Sequence, residues 1–94
     1  MDNETRIDDE TLARRIRAIL GDGLQLDDAC ADITTDAPLV SSGIIDSYGL
    51  QELGSIFERE FGITVTDRDL HGGGFESIDD MIRLIRKAKS TEFL

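Results

Sequence analysis

Three stretches of this sequence place their apolar residues at helical spacing, and that pattern restricts the fold more than anything else in the chain. In DDETLARRIRAILGDG, Leu12, Ile16, Ile19 and Leu20 fall at i, i+4, i+7 and i+8. In SYGLQELGSIFEREFG, Leu53, Gly54, Phe57 and Phe61 lie within roughly 60° of Leu50 at 100° per residue. In SIDDMIRLIRKAKS, Ile78, Met81, Ile82 and Ile85 repeat the spacing. A period near 3.6 brings such residues to one face of a helix, and that face needs a partner to cover it. Three such faces cover one another, so an α-bundle is predicted. A chain of 94 residues fits a single domain, and residues 1–94 are read as one.

The ends of these helices are also marked. Asp8, Asp9 and Glu10 suit the positive end of the first helix, and Gly21 and Gly23 are expected to stop it. Gly62 ends the second, and Ser77 with Asp80 begins the last. Between them, ITVT reads as a short extended piece. TDRDL reads as one helical turn with Thr66 and Asp69 in capping-box spacing, and HGGGF as a break. The first connection, residues 24–46, is long. Its apolar residues Leu24, Leu26, Ile33, Leu39 and Val40 keep no period and are expected to pin it across the helices. The fold class is therefore all-α, with three main helices, one short helix and a long first loop.

The formal net charge is −10, but its distribution matters more. From Asp22 to Asp80 there are 14 acidic residues against only Arg59 and Arg68. Apart from Arg6, the other bases cluster at Arg14, Arg15 and Arg17, and at Arg83, Arg86, Lys87 and Lys89. An acidic middle of this kind repels phosphate backbones and argues against nucleic acid. It favours encounters with proteins bearing basic patches, and it equally suits a plain solvated surface. Cys30 is the lone cysteine, so neither an internal disulfide nor a cysteine metal cluster is possible. A single thiol fits a reducing cytoplasm. MDNETRIDDE lacks the pattern of a signal peptide, and no apolar run exceeds three residues, so no membrane insertion is expected. Nothing suggests more than a monomer.

Catalytic signals are weak. HGGG at 71–74 matches the oxyanion loop of some lipases, but no G-x-S-x-G elbow accompanies it. No phosphate-binding glycine loop, EF-hand spacing or zinc set is present. Cys30 as a nucleophile needs a base, and His71 is the only histidine, so an idle thiol is expected. No catalytic or metal-binding residue is assigned. Ser47 stays open between two roles. It can cap the second helix, although Asp46 beside it caps equally well. If Asp46 caps, the Ser47 hydroxyl is left on the first turn, where a phosphate would meet the positive helix end.

GIIDSYGLQELGSIFEREFGITV resembles the signature region of carrier proteins: the acyl, peptidyl and D-alanyl carrier proteins. The shared features are Asp-Ser at the head of the second helix, Leu53 six residues later, and an E-x-x-F-G-I ending formed by Glu58, Phe61, Gly62 and Ile63. The later DL....F.SIDDMIRLI, from Asp69 to Ile85, is similar to their third and fourth helices, so the resemblance covers residues 8–88. It implies a four-helix bundle and a protein that is not an enzyme. It implies that Ser47, placed by Asp46, carries 4′-phosphopantetheine, installed from coenzyme A by a phosphopantetheinyl transferase. It also implies an acyl- or aminoacyl-activating enzyme and a downstream synthase or transferase as partners. Tyr48, Gln51, Glu52, Ser55 and Ile56 would form the docking face.

Departures from the family pattern refine the expectation. Tyr48 and Gly49 follow the serine where Leu or Met is common. Arg59 stands where the helix is often acidic, and Gln51 and Ser55 stand where exposed apolar contacts are common. They point to a discrete carrier of a nonribosomal peptide, polyketide or amino-acid-modifying pathway rather than to the carrier of fatty-acid synthesis. The alternative from another class is an acidic helical adaptor that is never modified, with Ser47 only a cap.

Overall fold

A computed structural model describes residues 8–23 and 33–91 of the chain. Leu24, Leu26 and Cys30 lie outside the described residues. The described elements are α1 (Asp9–Gly23), α2 (Ser47–Phe61), α3 (Asp67–His71) and α4 (Ile78–Thr91). This is the expected all-α arrangement. α1 packs on both α4 and α2, and α3 packs on α2.

Local chemistry begins each helix. Asp8 accepts the Thr11 N–H at 2.9 Å ahead of α1. Thr66 and Asp69 form the expected capping box of α3, with each side chain accepting the other's backbone N–H. Ser77 accepts the Asp80 N–H at 3.1 Å and donates its hydroxyl to the Asp80 carboxylate at 2.8 Å. α2 ends at Gly62, whose φ of 66° is left-handed and whose N–H reaches the Glu58 carbonyl.

One expected stop is corrected. Gly21 does not end α1; it is buried inside the helix, which continues to Gly23. A glycine inside a helix costs about 1 kcal/mol relative to alanine, which tertiary packing readily outweighs. Gly23 has a packing reason of its own, because a Cβ there would come within 2.7 Å of Ile56 Cδ1.

The predicted faces supply most of the core, including Leu12, Ile16, Leu20, Leu50, Leu53, Phe57, Ile78 and Met81. Ile19 is only half-buried at its edge. Leu70 of α3 and Leu84 of α4 add to the core, and the rest of it comes from segments without helical period. Leu39 and Ile45 of the first connection are buried, as are Ile63 and Phe75. Leu39 does pin the connection, as expected. Ile45, Ile63 and Phe75 carry no periodic signal, since each lies in a turn or link. The Phe57 ring centre lies 5.1 Å from those of Phe61, met edge-on, and Phe75, met at a tilt. Arg15 covers the outer face of Phe61, 4.8 Å from the ring centre. Asp9 and Arg86 join α1 to α4 at 2.6 Å. That pair is largely exposed, so the apolar contacts between the helices dominate.

These observations make two stability predictions. Phe57→Ala should lower unfolding free energy by about 3–5 kcal/mol in urea titrations, and Gly62→Ala by about 1–2 kcal/mol through left-handed strain. A third concerns acid. Hydrogen bonds from the Thr11 side chain and backbone hold the Asp8 carboxyl below its ordinary value. A lowered folded value means that this stabilisation is present above the unfolded pKa and is lost as pH falls through the folded one. Asp8→Asn keeps a capping oxygen but removes the titration, so its circular-dichroism signal should depend less on pH below about 4.

Candidate functional site

The turn that opens α2 decides between the two roles left to Ser47. Asp46 is the N-cap, with extended backbone at φ −92° and ψ −177°. Its carboxylate accepts the Gly49 N–H at 2.8 Å, and its carbonyl accepts the Leu50 N–H at 2.8 Å. Ser47 is therefore the first helical residue and not the cap. Its side chain is exposed, and no hydrogen-bond partner takes its hydroxyl among the described residues. The N–H groups of Ser47 and Tyr48 likewise have none. Ser77 shows the contrast, since it is 6% exposed with its hydroxyl fully engaged by Asp80.

The surroundings are open on one side. Tyr48 is 78% exposed, and Gly49 behind it is half-buried. Ser47, Gln51 and Ser55 follow one another at four-residue spacing, with Tyr48, Glu52 and Arg59 alongside, and all are exposed. The structure thus brings Tyr48, Gln51, Glu52 and Ser55 to the side of Ser47. Ile56 is turned away. It is half-buried and lines a groove of about 390 Å³ between α1 and α2 with Arg15, Ala18, Ile19 and Arg59. Ile44, absent from the sequence expectations, is 37% exposed three residues before Ser47. Its signal lies in the Ile44–Ile45 pair, of which only Ile45 is buried.

The lipase-like letters do a different job. His71 ends α3 and is exposed, and residues 72–75 turn toward α4. The Gly72 N–H is spent on the Arg68 carbonyl and the Gly74 N–H on the Asp69 carbonyl, so neither is available to an oxyanion. Among the described residues no three His, Cys, Asp or Glu side chains converge on a metal position.

The family model for the phosphopantetheine attachment site matches residues 14–85. An acyl carrier protein of Solidesulfovibrio magneticus is 32% identical over 79 residues, covering 84% of this chain and 96% of that one. The chain belongs to the phosphopantetheine-attachment family of carrier proteins. It is a non-catalytic carrier, modified by a phosphopantetheinyl transferase and bearing covalent 4′-phosphopantetheine. The unmodified adaptor is thereby set aside.

The residues fit that group. A phosphodiester needs an unengaged hydroxyl with room around it, and it gains from unpaired N–H groups at a positive helix end. The first turn of α2 supplies each of these. The carrier motif at the other end of α2 is structural. Phe61 and Ile63 are buried, Gly62 reverses the chain, and the Glu58 carboxylate accepts the Val65 N–H at 2.9 Å. Removing the cap should cost more than removing the neighbouring hydroxyl. Asp46→Ala is expected to lose about 0.5–2 kcal/mol of stability, while Ser47→Ala changes the thermal midpoint little.

Proposed function

We propose that Ser47 is the attachment point and that the protein is a discrete carrier of acyl or aminoacyl intermediates. One observation carries the assignment: Asp46 takes the capping role and leaves the Ser47 hydroxyl exposed on the first turn of α2. In the transfer, the Ser47 oxygen forms a bond to the pantetheine-bearing phosphorus of coenzyme A. The pyrophosphate P–O bond breaks, the adenosine bisphosphate leaves, and the serine proton goes to a base. No hydrogen bond in the described structure joins Ser47 to a base, so the transferase supplies it. When bound, the arm offers a thiol that holds cargo as a thioester. The protein's own part is to present the serine on a rigid helix while the exposed face beside it meets the partner.

Tyr48, Gln51, Glu52 and Ser55 form the docking face beside that serine, with Ile44 as a further apolar contact. Ile56 contributes from the flank, where its half-buried side chain stiffens α2 against α1. The partners are the transferase, an activating enzyme and a downstream synthase or transferase. The exposed Tyr48 and the polar Gln51 and Ser55 favour a specialised pathway of nonribosomal peptide, polyketide or amino-acid-modifying type. The acyl carrier protein among the relatives supports fatty-acid synthesis as the second reading. Residues 1–94 act as one carrier domain in the cytoplasm; no described helix is long and apolar enough to cross a membrane.

Incubation with coenzyme A, magnesium and a promiscuous transferase should add one phosphopantetheine to the intact mass. Ser47→Ala should abolish the gain, and Ser77→Ala should retain it. A folded wild-type protein without the gain would sink the assignment. ATP-dependent aminoacyl loading favours the specialised pathway, and malonyl loading by a fatty-acid-synthesis transferase favours the second reading.

A further inference from the structure

The segment that delivers Ser47 is not helical. From Ile33 to Ile45 it runs through turns, with Leu39 and Ile45 buried as anchors. Residues 41–44 bulge outward between them, while Val40 packs against the core. The Ile45 N–H closes the bulge on the Leu39 carbonyl at 2.9 Å, and the Gly43 N–H reaches the Val40 carbonyl at 3.0 Å. Ile44 stands at its exposed edge and Asp46 follows directly. These backbone bonds tie the loop only at its base.

A second element grips its outer side. The Ser41 hydroxyl donates to Glu76 Oε2 at 2.5 Å, and the Ser41 N–H lies 3.3 Å from both carboxylate oxygens. The Leu39 N–H donates to the Glu76 carbonyl at 2.6 Å. Glu76 therefore holds the loop through both its main chain and its side chain. It is itself held firmly, between buried Phe75 and the buried cap Ser77. Farther back, the Asp79 N–H donates to the Thr35 carbonyl at 2.9 Å. Hydrogen bonds to a carboxylate are about twice as strong as neutral ones, so the Glu76 side chain adds a charge-assisted hold on the bulge.

We propose that Glu76 is a positioning residue of the attachment site: its carboxylate clasps Ser41 and fixes the loop that presents Ile44 and Ser47 to partner enzymes. This rests on the reading of Ser47 as the attachment point. Ser41 and Glu76 are 35 residues apart in sequence, on separate connections. The docking surface is thus built jointly by the first loop, α2 and the link before α4. The clasp lowers the entropy lost when an enzyme captures the loop, so its loss should appear in recognition and not in the chemical step.

Steady-state phosphopantetheinylation, with the carrier as varied substrate, tests this. Glu76→Ala and Ser41→Ala should each raise KM roughly tenfold, equivalent to about 1.4 kcal/mol, with kcat within about twofold. The double variant should be no worse than either single one, and Glu76→Gln, which keeps one acceptor oxygen, should recover most of the loss. Ser41→Ala retains the Glu76 charge. A KM rise in Glu76→Ala that Ser41→Ala fails to reproduce is therefore a charge effect and overturns the clasp, as does an unchanged KM in both. Amide exchange at Gly43 and Ile45 gives a readout independent of modification. Faster exchange in Ser41→Ala supports the clasp, and unchanged exchange overturns it. If wild type gains no mass while exchange responds, the Ser47 assignment has failed and the clasp stands as a loop tether alone.

Discussion

Phe57 lies at the middle of α2 with no exposed surface, and its ring meets Phe61 on its own helix and Phe75 on the link before α4. The position of α2 follows from this contact. With Phe57 and Leu53 turned inward, the helical period turns Ser47, Gln51 and Ser55 outward. The link carrying Phe75 is drawn against α2, and it brings Glu76 within reach of the loop ahead of Ser47. Burying an aromatic ring of this size is worth several exposed ion pairs, so the apolar contact sets the geometry and the polar ones refine it.

The polar contacts share one logic. Each helix described here begins with a side chain that accepts its own backbone, and each such residue is thereby occupied. Asp8 serves α1, Asp46 serves α2, Thr66 serves α3 and Ser77 serves α4. Ser47 stands beside a cap without being one. In a carrier protein that distinction matters, because a hydroxyl already engaged must give up its hydrogen bond before a phosphate can take its place. The function asked of this chain is accordingly modest: a held helix, an unengaged oxygen and an acidic surface. The chemistry comes from the arm and from the enzymes that visit it.

Much of this was legible in the residues. Helical spacing named the α1, α2 and α4 faces, and Thr66–Asp69 and Ser77–Asp80 announced two caps correctly. Gly62 was legible because a left-handed turn after a helix strongly favours glycine. Gly21 misled, since a glycine that packs looks the same in sequence as a glycine that stops. Ile45, Ile63 and Phe75 gave no periodic signal, because a buried residue in a turn has no periodic neighbours to reveal it. Ile56 was expected on the docking face, and its place in the groove beside Gly23 depends on α1, which is distant in sequence.

The amino-acid order by itself determined the helices, the caps of α3 and α4 and the Asp-Ser signature, because each depends on residues within a few positions of one another. It left Ser47 between cap and free hydroxyl, since Asp46 and Ser47 cap equally well in isolation. Only the tertiary structure decided that Asp46 takes the Gly49 N–H, that Ile44 stays outside while Ile45 goes in, and that Glu76 reaches Ser41. Those outcomes depend on how α2 and the link before α4 settle around Phe57, a packing between residues distant in sequence that no local pattern encodes.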